Sequence, residues 1–197
     1  AYGVFVGLKA TVEYALKRSL DGVSVAIQGM GHVGYRLAKH LHEHGAKLYV
    51  ADIYPEGVEK AVAEFGATAV APEEILSLDV DVLAPCALGA AINDQTLPAI
   101  KAKVIAGAAN NQLAREDMGE LLQQRGILYA PDYVINAGGV IDIFHQRMES
   151  SSNEALRAHI EQIGDTLKEI YERAEQDGAA TNRVANVIAE ERFTIKG

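Results

Sequence analysis

Residues 29–34 read Gly-Met-Gly-His-Val-Gly, and their surroundings leave few ways for this chain to fold. The apolar run Val23–Gln28 comes directly before them, and apolar residues at helical spacing follow as far as Gly45. Glycines at this spacing form a tight turn from a buried strand into a helix. The run Lys47–Asp52 resembles a second strand, so the stretch predicts a strand–helix–strand unit with parallel strands.

Strand and helix continue to alternate along most of the chain. Further strands are predicted at Thr68–Val70, Val80–Pro85, Val104–Ala109 and Ile127–Ala130, and further helices at Gly3–Arg18, Pro55–Phe65, Pro72–Ser77, Arg115–Arg125 and Val134–Arg147. Right-handed connections through helices bring such strands into one parallel sheet. The sequence therefore predicts an α/β fold of the Rossmann type, a doubly wound and mainly parallel sheet with helices on both faces.

The C-terminal part, from about residue 150 to residue 197, is predicted to be a helical extension. Ser150–Asn153 provides an N-cap, and one apolar face of a long helix follows at Leu156, Ile160, Ile163, Leu167 and Ile170. We expect this face to pack on the sheet or on a further domain. A final helix is predicted at Thr181–Arg192. Because no repeat or linker is visible, residues 1–197 are predicted to form one domain with a lead-in helix over about residues 1–20.

Charge and cysteine content argue against several classes of partner. The net charge is −9 without a basic cluster, which argues against nucleic acid and against an anionic membrane surface. No apolar run approaches the roughly 18 residues of a membrane span. Cys86 is the only cysteine, so no disulfide can form within the chain, and we expect a cytoplasmic protein. A small anionic ligand remains compatible, because helix N-termini bind anions through backbone N–H groups.

The glycine loop predicts a dinucleotide site. Gly29 permits the turn, Gly31 lets a pyrophosphate approach the backbone, and Gly34 lets the helix pack close to the sheet. Asp52 ends the second strand 23 residues after Gly29, where a carboxylate accepts hydrogen bonds from ribose hydroxyls and repels a 2′-phosphate. No arginine follows in Ile53–Pro55, so the predicted cofactor is NAD rather than NADP. The alternative is an ordinary glycine turn with Asp52 as a solvated strand end.

Small residues and side-chain amides follow three later strands. Cys86 and Ala87 come after the fourth strand, Ala108–Asn111 after the fifth, and Asn136 beyond the sixth. In open α/β sheets, ligands bind outside the carboxyl ends of the strands. Small residues there leave room for a nicotinamide, and amides can orient its carboxamide. The alternative for Asn110 and Asn111 is that they cap the next helix.

Cys86, His40 and His44 can be explained without a catalytic or metal-binding role. Cys86 is expected to be a small buried residue rather than a nucleophile, because no histidine is linked to it by a motif. His40 and His44 lie four residues apart, as in metal-binding pairs, but no glutamate follows at the spacing that zinc proteases use. We therefore interpret both histidines as surface residues and predict no metal site.

Five stretches, in order along the chain, are similar to the C-terminal, NAD-binding domain of the glutamate/leucine/phenylalanine/valine dehydrogenase family. They are Ala-Tyr-Gly-Val-Phe at residues 1–5, the glycine loop at 29–34, Ala-Pro-Cys-Ala-Leu-Gly at 84–89, and the segments 104–113 and 129–141. Within the family, Asn93–Thr96 and the segment 129–141 resemble the leucine branch most. Ala-Ala-Asn-Asn at 108–111 also resembles the phenylalanine and valine branches, so the branch stays open.

This resemblance implies reversible oxidative deamination of an L-amino acid to a 2-oxo acid and ammonia, with hydride transfer to NAD. In the family, the lysine and the aspartate that promote this chemistry belong to an N-terminal domain. Because the chain opens at Ala1 inside a helical pattern, we expect that domain to lie upstream. No catalytic residue is therefore predicted in the chain itself, and the full-length protein is expected to be a homo-oligomer.

Motif and resemblance together define the predicted site. The predicted cofactor contacts are Gly29, Met30, Gly31, His32, Val33, Gly34, Asp52, Ile53, Cys86, Ala87, Ala108, Ala109, Asn110, Asn111 and Asn136, and the predicted substrate pocket contains Asn111, Asn136, Val140 and Ile143. The two aliphatic side chains suit a branched-chain amino acid such as leucine. Two other functions stay open: a stand-alone NAD-binding regulator without chemistry, and another Rossmann oxidoreductase with a different substrate.

Overall fold

Six parallel strands form a single sheet in the order β3-β2-β1-β4-β5-β6 in the computed structural model, which describes residues 1–148 and 152–194. The strands are β1 (Ser24–Gln28), β2 (Lys47–Ala51), β3 (Thr68–Ala69), β4 (Val82–Pro85), β5 (Val104–Ile105) and β6 (Leu128–Tyr129). Every strand pairing is parallel. The strand order reverses between β1 and β4, where a doubly wound sheet opens a crevice for ligands. The predicted fold class is confirmed.

Eight α-helices accompany the sheet in the described part of the chain. They are α1 (Tyr2–Leu16), α2 (His32–Glu43), α3 (Pro55–Phe65), α4 (Met118–Gln124), α5 (Asp132–Ile135), α6 (Gly138–Gln146), α7 (Asn153–Asp177) and α8 (Thr181–Thr194). None of these helices combines the length and the apolarity needed to cross a membrane. Ser152 caps α7, since its side chain accepts a hydrogen bond from the N–H of Ala155 at 3.1 Å, whereas Ser150 and Ser151 lie outside the described residues.

Three predicted elements differ from the structure in type, continuity or length, and the others differ only at their ends. The predicted helix Pro72–Ser77 is a 3₁₀ turn at Ile75–Ser77, and a second such turn, Leu97–Ala99, was not predicted. The helix predicted at Val134–Arg147 is broken into α5 and α6 at Asn136 and Ala137. The fifth strand ends at Ile105 instead of Ala109, because the regular pairing with β4 is lost: the N–H of Ala106 donates to Leu83, but the next donor, to the carbonyl of Pro85, is Ala109 rather than Ala108.

Both faces of the sheet are covered by apolar side chains. On β1, Val25 and Ile27 belong to the larger core, which α1, α2, α7 and α8 complete, while Ala26 belongs to a smaller core on the opposite face with Leu83 and Met118. A strand that is buried on both faces needs apolar residues at successive positions. This explains why the run before the glycine loop alternates only weakly.

The apolar face of α7 packs on helix α1, which was neither of the two predicted partners. Ile163, Leu167 and Ile170 are buried on this face. Small residues of α1 allow the close approach: a Cβ at Gly3 would contact Ile163 at 3.1 Å, and one at Gly7 would contact Leu167 at 3.1 Å. The interface therefore joins the two ends of the chain, more than 150 residues apart in sequence.

One buried hydrogen bond in this interface leads to a stability prediction. The Thr11 hydroxyl donates to the carbonyl of Gly7 at 2.7 Å, so the Tyr171 hydroxyl, also 2.7 Å away, donates to Thr11. Thr11→Val leaves the buried phenol without an acceptor, and we expect it to lower the free energy of unfolding by about 1–3 kcal/mol. Tyr171→Phe removes the donor with its bond and should cost about 1 kcal/mol. Equal urea midpoints for the two variants would contradict this hydrogen-bond assignment.

Candidate functional site

The glycine loop joins β1 to α2 at the carboxyl edge of the sheet. Gly29 has a φ of 97°, in the left-handed region, and a Cβ there would come within 2.8 Å of the backbone nitrogen of Ala87. A Cβ at Gly34 would overlap the carbonyl oxygen of Gly29. At Gly31 no atom lies within 4 Å of such a Cβ. Two of the glycines are therefore required by the fold itself, whereas Gly31 faces open space.

The start of α2 presents backbone donors to that space. The first hydrogen bond of the helix runs from the N–H of Tyr35 to the carbonyl of Gly31 at 2.9 Å, and no side chain caps the helix. The N–H groups of His32, Val33 and Gly34 therefore lack intrahelical acceptors. Free donors at the positive end of a helix dipole, beside a glycine without a side chain, form a cradle that fits a phosphate.

Asp52 is tied to the loop. Its Oδ2 accepts a hydrogen bond from the N–H of Met30 at 2.6 Å, and its Oδ1 accepts one from the N–H of Tyr54 at 2.9 Å. Asp52 is therefore bonded to the loop rather than only to solvent, and its role toward a ribose stays a prediction. Asp52 itself is half-buried, and Ile53, the next residue, is 76% exposed.

A groove of about 810 Å³ runs from this loop along the outside of α2 toward α3. Its lining includes Met30, Gly31, His32 and Asp52, together with three cationic side chains that the sequence analysis did not single out, Arg36, Lys39 and Lys60. Arg36 and Lys39 are exposed on α2, three residues apart, which is the spacing of neighbours on one helix face. Three carboxylates, Glu43, Asp52 and Glu56, line the same groove, so its formal charges balance and any anion must be held by local donors.

The amides predicted at the nicotinamide end lie together. Asn136, at the C-terminal end of α5, donates from Nδ2 to Oδ1 of Asn110 at 2.8 Å. The alternative helix-capping explanation of Asn110 and Asn111 is wrong, because the next helix, α4, begins at Met118 after Asp117. Asn111 instead has a φ of 52°, a conformation that asparagine tolerates better than most residues.

Ala87, Ala108 and Ala109 border the crevice with little side-chain volume. Ala109 is buried and its N–H donates to the carbonyl of Pro85 at 2.9 Å, which links the ends of β4 and β5. Ala108 is half-buried and Ala87 is exposed. The structure thus brings the small residues of two neighbouring strand ends to one edge of the sheet.

The two aliphatic residues predicted for the substrate pocket are on α6 and face solvent. Val140 is 72% exposed and Ile143 is 52% exposed. Neither lines the smaller cavity of about 420 Å³ that Asn136 shares with residues of α1 and α7. The described residues therefore do not enclose these two side chains, and their role in a substrate pocket stays a prediction.

Cys86 follows β4 and lies half-buried beside the glycine loop. Burial raises the pKa of its thiol to about 11, from an ordinary value of 9.0. Two units correspond to a roughly 100-fold smaller thiolate fraction at neutral pH, and the thiolate is the nucleophile. This is consistent with the expectation that Cys86 is not a nucleophile.

Alkylation measures this directly, because Cys86 is the only cysteine. We expect iodoacetamide at pH 7.5 to modify the native chain roughly 100-fold more slowly than the urea-unfolded chain. The native rate should keep rising with pH up to about 11, where the thiol ionises. If the native chain is alkylated as fast as the unfolded chain, the thiol is not buried and its pKa is not raised.

His40 and His44 pack around an aromatic ring of α1. Their ring centroids lie 5.2 Å and 4.7 Å from that of Phe5. His40 is half-buried and this burial lowers its pKa, so it is not the simple surface residue that was predicted. Among residues 1–148 and 152–194 no three His, Cys, Asp or Glu side chains are grouped so that they could hold a metal ion.

Comparison with known proteins extends over nearly the whole chain. Residues 1–58 and 49–194 match the family model described as "Glutamate/Leucine/Phenylalanine/Valine dehydrogenase". The chain is 50% identical over 194 residues to leucine dehydrogenase of Bacillus cereus, which covers 98% of this chain and 53% of that protein. It is 47% identical to L-tryptophan dehydrogenase of Nostoc punctiforme, over 98% of this chain and 55% of that protein. The chain thus spans about half the length of the curated relatives it matches.

Solved structures agree with these matches. The crystal structure of the Nostoc punctiforme L-tryptophan dehydrogenase superposes with a TM-score of 0.94 at 47% identity, covering 98% of this chain and 59% of that one. A glutamate dehydrogenase of Thermus thermophilus, only 24% identical, shares the fold with a TM-score of 0.76 over 100% of this chain and 52% of that one. This chain belongs to the glutamate/leucine/phenylalanine/valine dehydrogenase family.

Proposed function

We propose that this chain is the C-terminal, NAD-binding half of an L-amino-acid dehydrogenase that interconverts leucine, or another branched-chain amino acid, with its 2-oxo acid and ammonia. The observation that carries the proposal is the arrangement of Gly31, the free N–H groups at the start of α2 and the Asp52 carboxylate around one open groove. A dinucleotide needs these two features side by side, donors for its pyrophosphate and an acceptor for its ribose hydroxyls.

Each part of the site has a role in this proposal. The N–H groups of residues 32–34 hold the pyrophosphate, and Asp52 accepts from the adenosine ribose while repelling the extra phosphate of NADP. Asn110 and Asn136 orient the nicotinamide end, and the small side chains after β4 and β5 leave room for it. NAD, when bound, accepts the hydride from the substrate. Val140 and Ile143 would contact an aliphatic substrate side chain once a second domain faces α6.

NAD binding by the chain tests the proposal. We expect calorimetry to show NAD binding to the 197-residue chain and at least tenfold weaker binding of NADP, about the effect of one unfavourable charge contact. The chain alone should not oxidise leucine, because the proposed catalytic lysine and aspartate belong to the other half of the protein. Turnover of leucine by the 197-residue chain would contradict that division of roles.

The substrate class has a second candidate. L-tryptophan dehydrogenase of Nostoc punctiforme is nearly as similar to this chain as the leucine enzyme, which favours an aromatic substrate as the alternative. The full-length protein should be compared on leucine, valine, phenylalanine and tryptophan by kcat/KM.

We also propose that the full-length protein is a cytoplasmic homo-oligomer and that it has no nucleic-acid or membrane partner. Sedimentation of the full-length protein measures its assembly.

A further inference from the structure

Gln112 is a fully buried polar residue next to the candidate nicotinamide site. Its relative exposure is 0%, and its side chain turns back under the loop that follows β5. Nε2 donates to the carbonyl of Gly107 at 3.0 Å and to the carbonyl of Ala109 at 2.9 Å. One amide group thus uses both of its protons to fix the backbone immediately before Asn110.

The backbone of Gln112 connects the same loop to its neighbours. Its N–H donates to Oδ2 of Asp132 at 2.9 Å, and its carbonyl accepts from the N–H of Ile92 at 3.0 Å. Asp132 is the first residue of α5, and its Oδ1 accepts from the N–H of Tyr133 at 2.7 Å. The two oxygens of one carboxylate therefore hold the β5 loop and the start of α5 together.

These contacts close a ring around the two candidate ligand amides. Helix α5 consists of a single turn from Asp132 to Ile135, and Asn136 follows it directly. Asn136 then donates to Oδ1 of Asn110 at 2.8 Å, and Asn110 lies two residues before Gln112. The hydrogen bonds of Gln112 and Asp132 hold the two segments of this ring in place. Asn110 and Asn136, which belong to these segments, therefore have little freedom to move.

The buried amide carries an unfavourable feature as well. The Oε1 atom of Gln112 is buried and has no hydrogen-bond partner among the described residues. An unsatisfied buried oxygen is destabilising, so an apolar side chain would fill the same space at lower cost if filling it were the only requirement. Unlike an apolar side chain, the amide donates hydrogen bonds through Nε2 to two carbonyl oxygens.

We propose that Gln112 and Asp132 are positioning residues that fix Asn110 and Asn136 for the nicotinamide end of NAD. This inference rests on the proposed function. Neither residue needs to touch the cofactor, because each acts through the ring that it closes. The adenosine end is held separately, by the glycine loop and Asp52, on the other side of the crevice between β1 and β4.

The separation of the two ends gives a direct test by calorimetry on the 197-residue chain. NAD and ADP-ribose share the adenosine, both phosphates and both riboses, and only NAD has the nicotinamide. We expect Gln112→Met and Asp132→Ala to weaken NAD binding roughly five- to tenfold, as expected for one or two lost amide hydrogen bonds. ADP-ribose binding should change less than twofold. Asp132→Asn keeps an acceptor oxygen and should retain more of the NAD affinity than Asp132→Ala.

Two further variants distinguish positioning from general stability. Gln124→Met makes the same change at an exposed position of α4 and should alter neither affinity. In a chain that already carries Asn110→Ala and Asn136→Ala, Asp132→Ala should have no further effect on the ratio of the NAD to the ADP-ribose affinity. This background, together with Asp132→Asn, replaces Gln112→Met if that variant does not fold.

The outcomes distinguish failure of the positioning role from failure of the proposed NAD-binding function. Equal losses for both ligands, or an unchanged ratio in Asp132→Ala, would overturn the positioning role while leaving NAD binding in place. Equal affinity of the unaltered chain for NAD and ADP-ribose would overturn it too, because the nicotinamide would then contribute nothing. If the unaltered chain binds neither ligand, the proposed function itself fails, and this inference fails with it.

Discussion

Asp52→Ala is expected to weaken NAD binding at least tenfold and to reduce the preference for NAD over NADP. Hydrogen bonds to a charged group contribute about 1.5–3 kcal/mol each, so the loss of one from a ribose hydroxyl corresponds to roughly a 10- to 100-fold weaker Kd. The substitution also removes the acceptor for the N–H of Met30, which loosens the glycine loop. NADP should lose less affinity, because its 2′-phosphate no longer meets a carboxylate.

Asp52→Asn separates charge from hydrogen bonding. The amide oxygen can still accept from one backbone N–H, but the negative charge is gone, so we expect NADP to bind more tightly than it does to the unaltered chain. Asp79→Ala removes the same charge at an exposed position near the opposite end of β4 and serves as the control. If Asp52→Ala binds NAD as the unaltered chain does, the ribose assignment is wrong.

Gly31→Ala is expected to weaken NAD binding by at least tenfold without affecting stability. The φ of Gly31 is −68°, which alanine adopts readily, and a methyl group would meet no protein atom within 4 Å. The same methyl group would occupy the space through which a phosphate reaches the N–H groups of α2. We therefore expect an unchanged thermal midpoint together with a much weaker NAD affinity.

Gly34→Ala provides the matched comparison three residues later. Its methyl group would overlap the carbonyl oxygen of Gly29, and overpacking of this kind typically costs about 1–3 kcal/mol. For a domain of this size, each kcal/mol lowers Tm by about 2–4 °C. Gly31→Ala should thus weaken NAD binding alone, whereas Gly34→Ala should also lower the stability of the fold. A large drop in Tm for Gly31→Ala would show that the open space is needed by the fold.

Much of the fold was predictable because its signals are local. Helix α3 begins and ends where predicted, since Pro55 suits a first helical turn and Gly66 takes the left-handed conformation with a φ of 63°. The turn at Gly29 and the start of α2 follow from glycine spacing within six residues. Each of these features depends on backbone sterics over one or two turns of chain, which the residues themselves determine.

Strand length and helix continuity were predicted less well. The fifth strand ends at Ile105, and Gly107 just beyond it packs closely against Pro85 of a neighbouring strand, a contact between residues 22 positions apart. The predicted helix through Asn136 is broken where that side chain reaches Asn110. Hydrophobic periodicity cannot register such contacts, because it measures only how apolar residues repeat along one segment.

The sequence alone determined the fold class, the turn that opens the candidate phosphate cradle and the acidic strand end beside it, because each is written in residue types at short spacing. The tertiary structure alone decided that Asp52 holds the loop, that Gln112 and Asp132 join three strand ends, and that α7 packs on α1. These contacts link residues from 20 to about 160 positions apart. The contacts of Asp52, Gln112 and Asp132 form only when the sheet has brought the carboxyl ends of its strands to one edge, and the contact of α7 with α1 forms only when these two helices, distant in sequence, pack on each other.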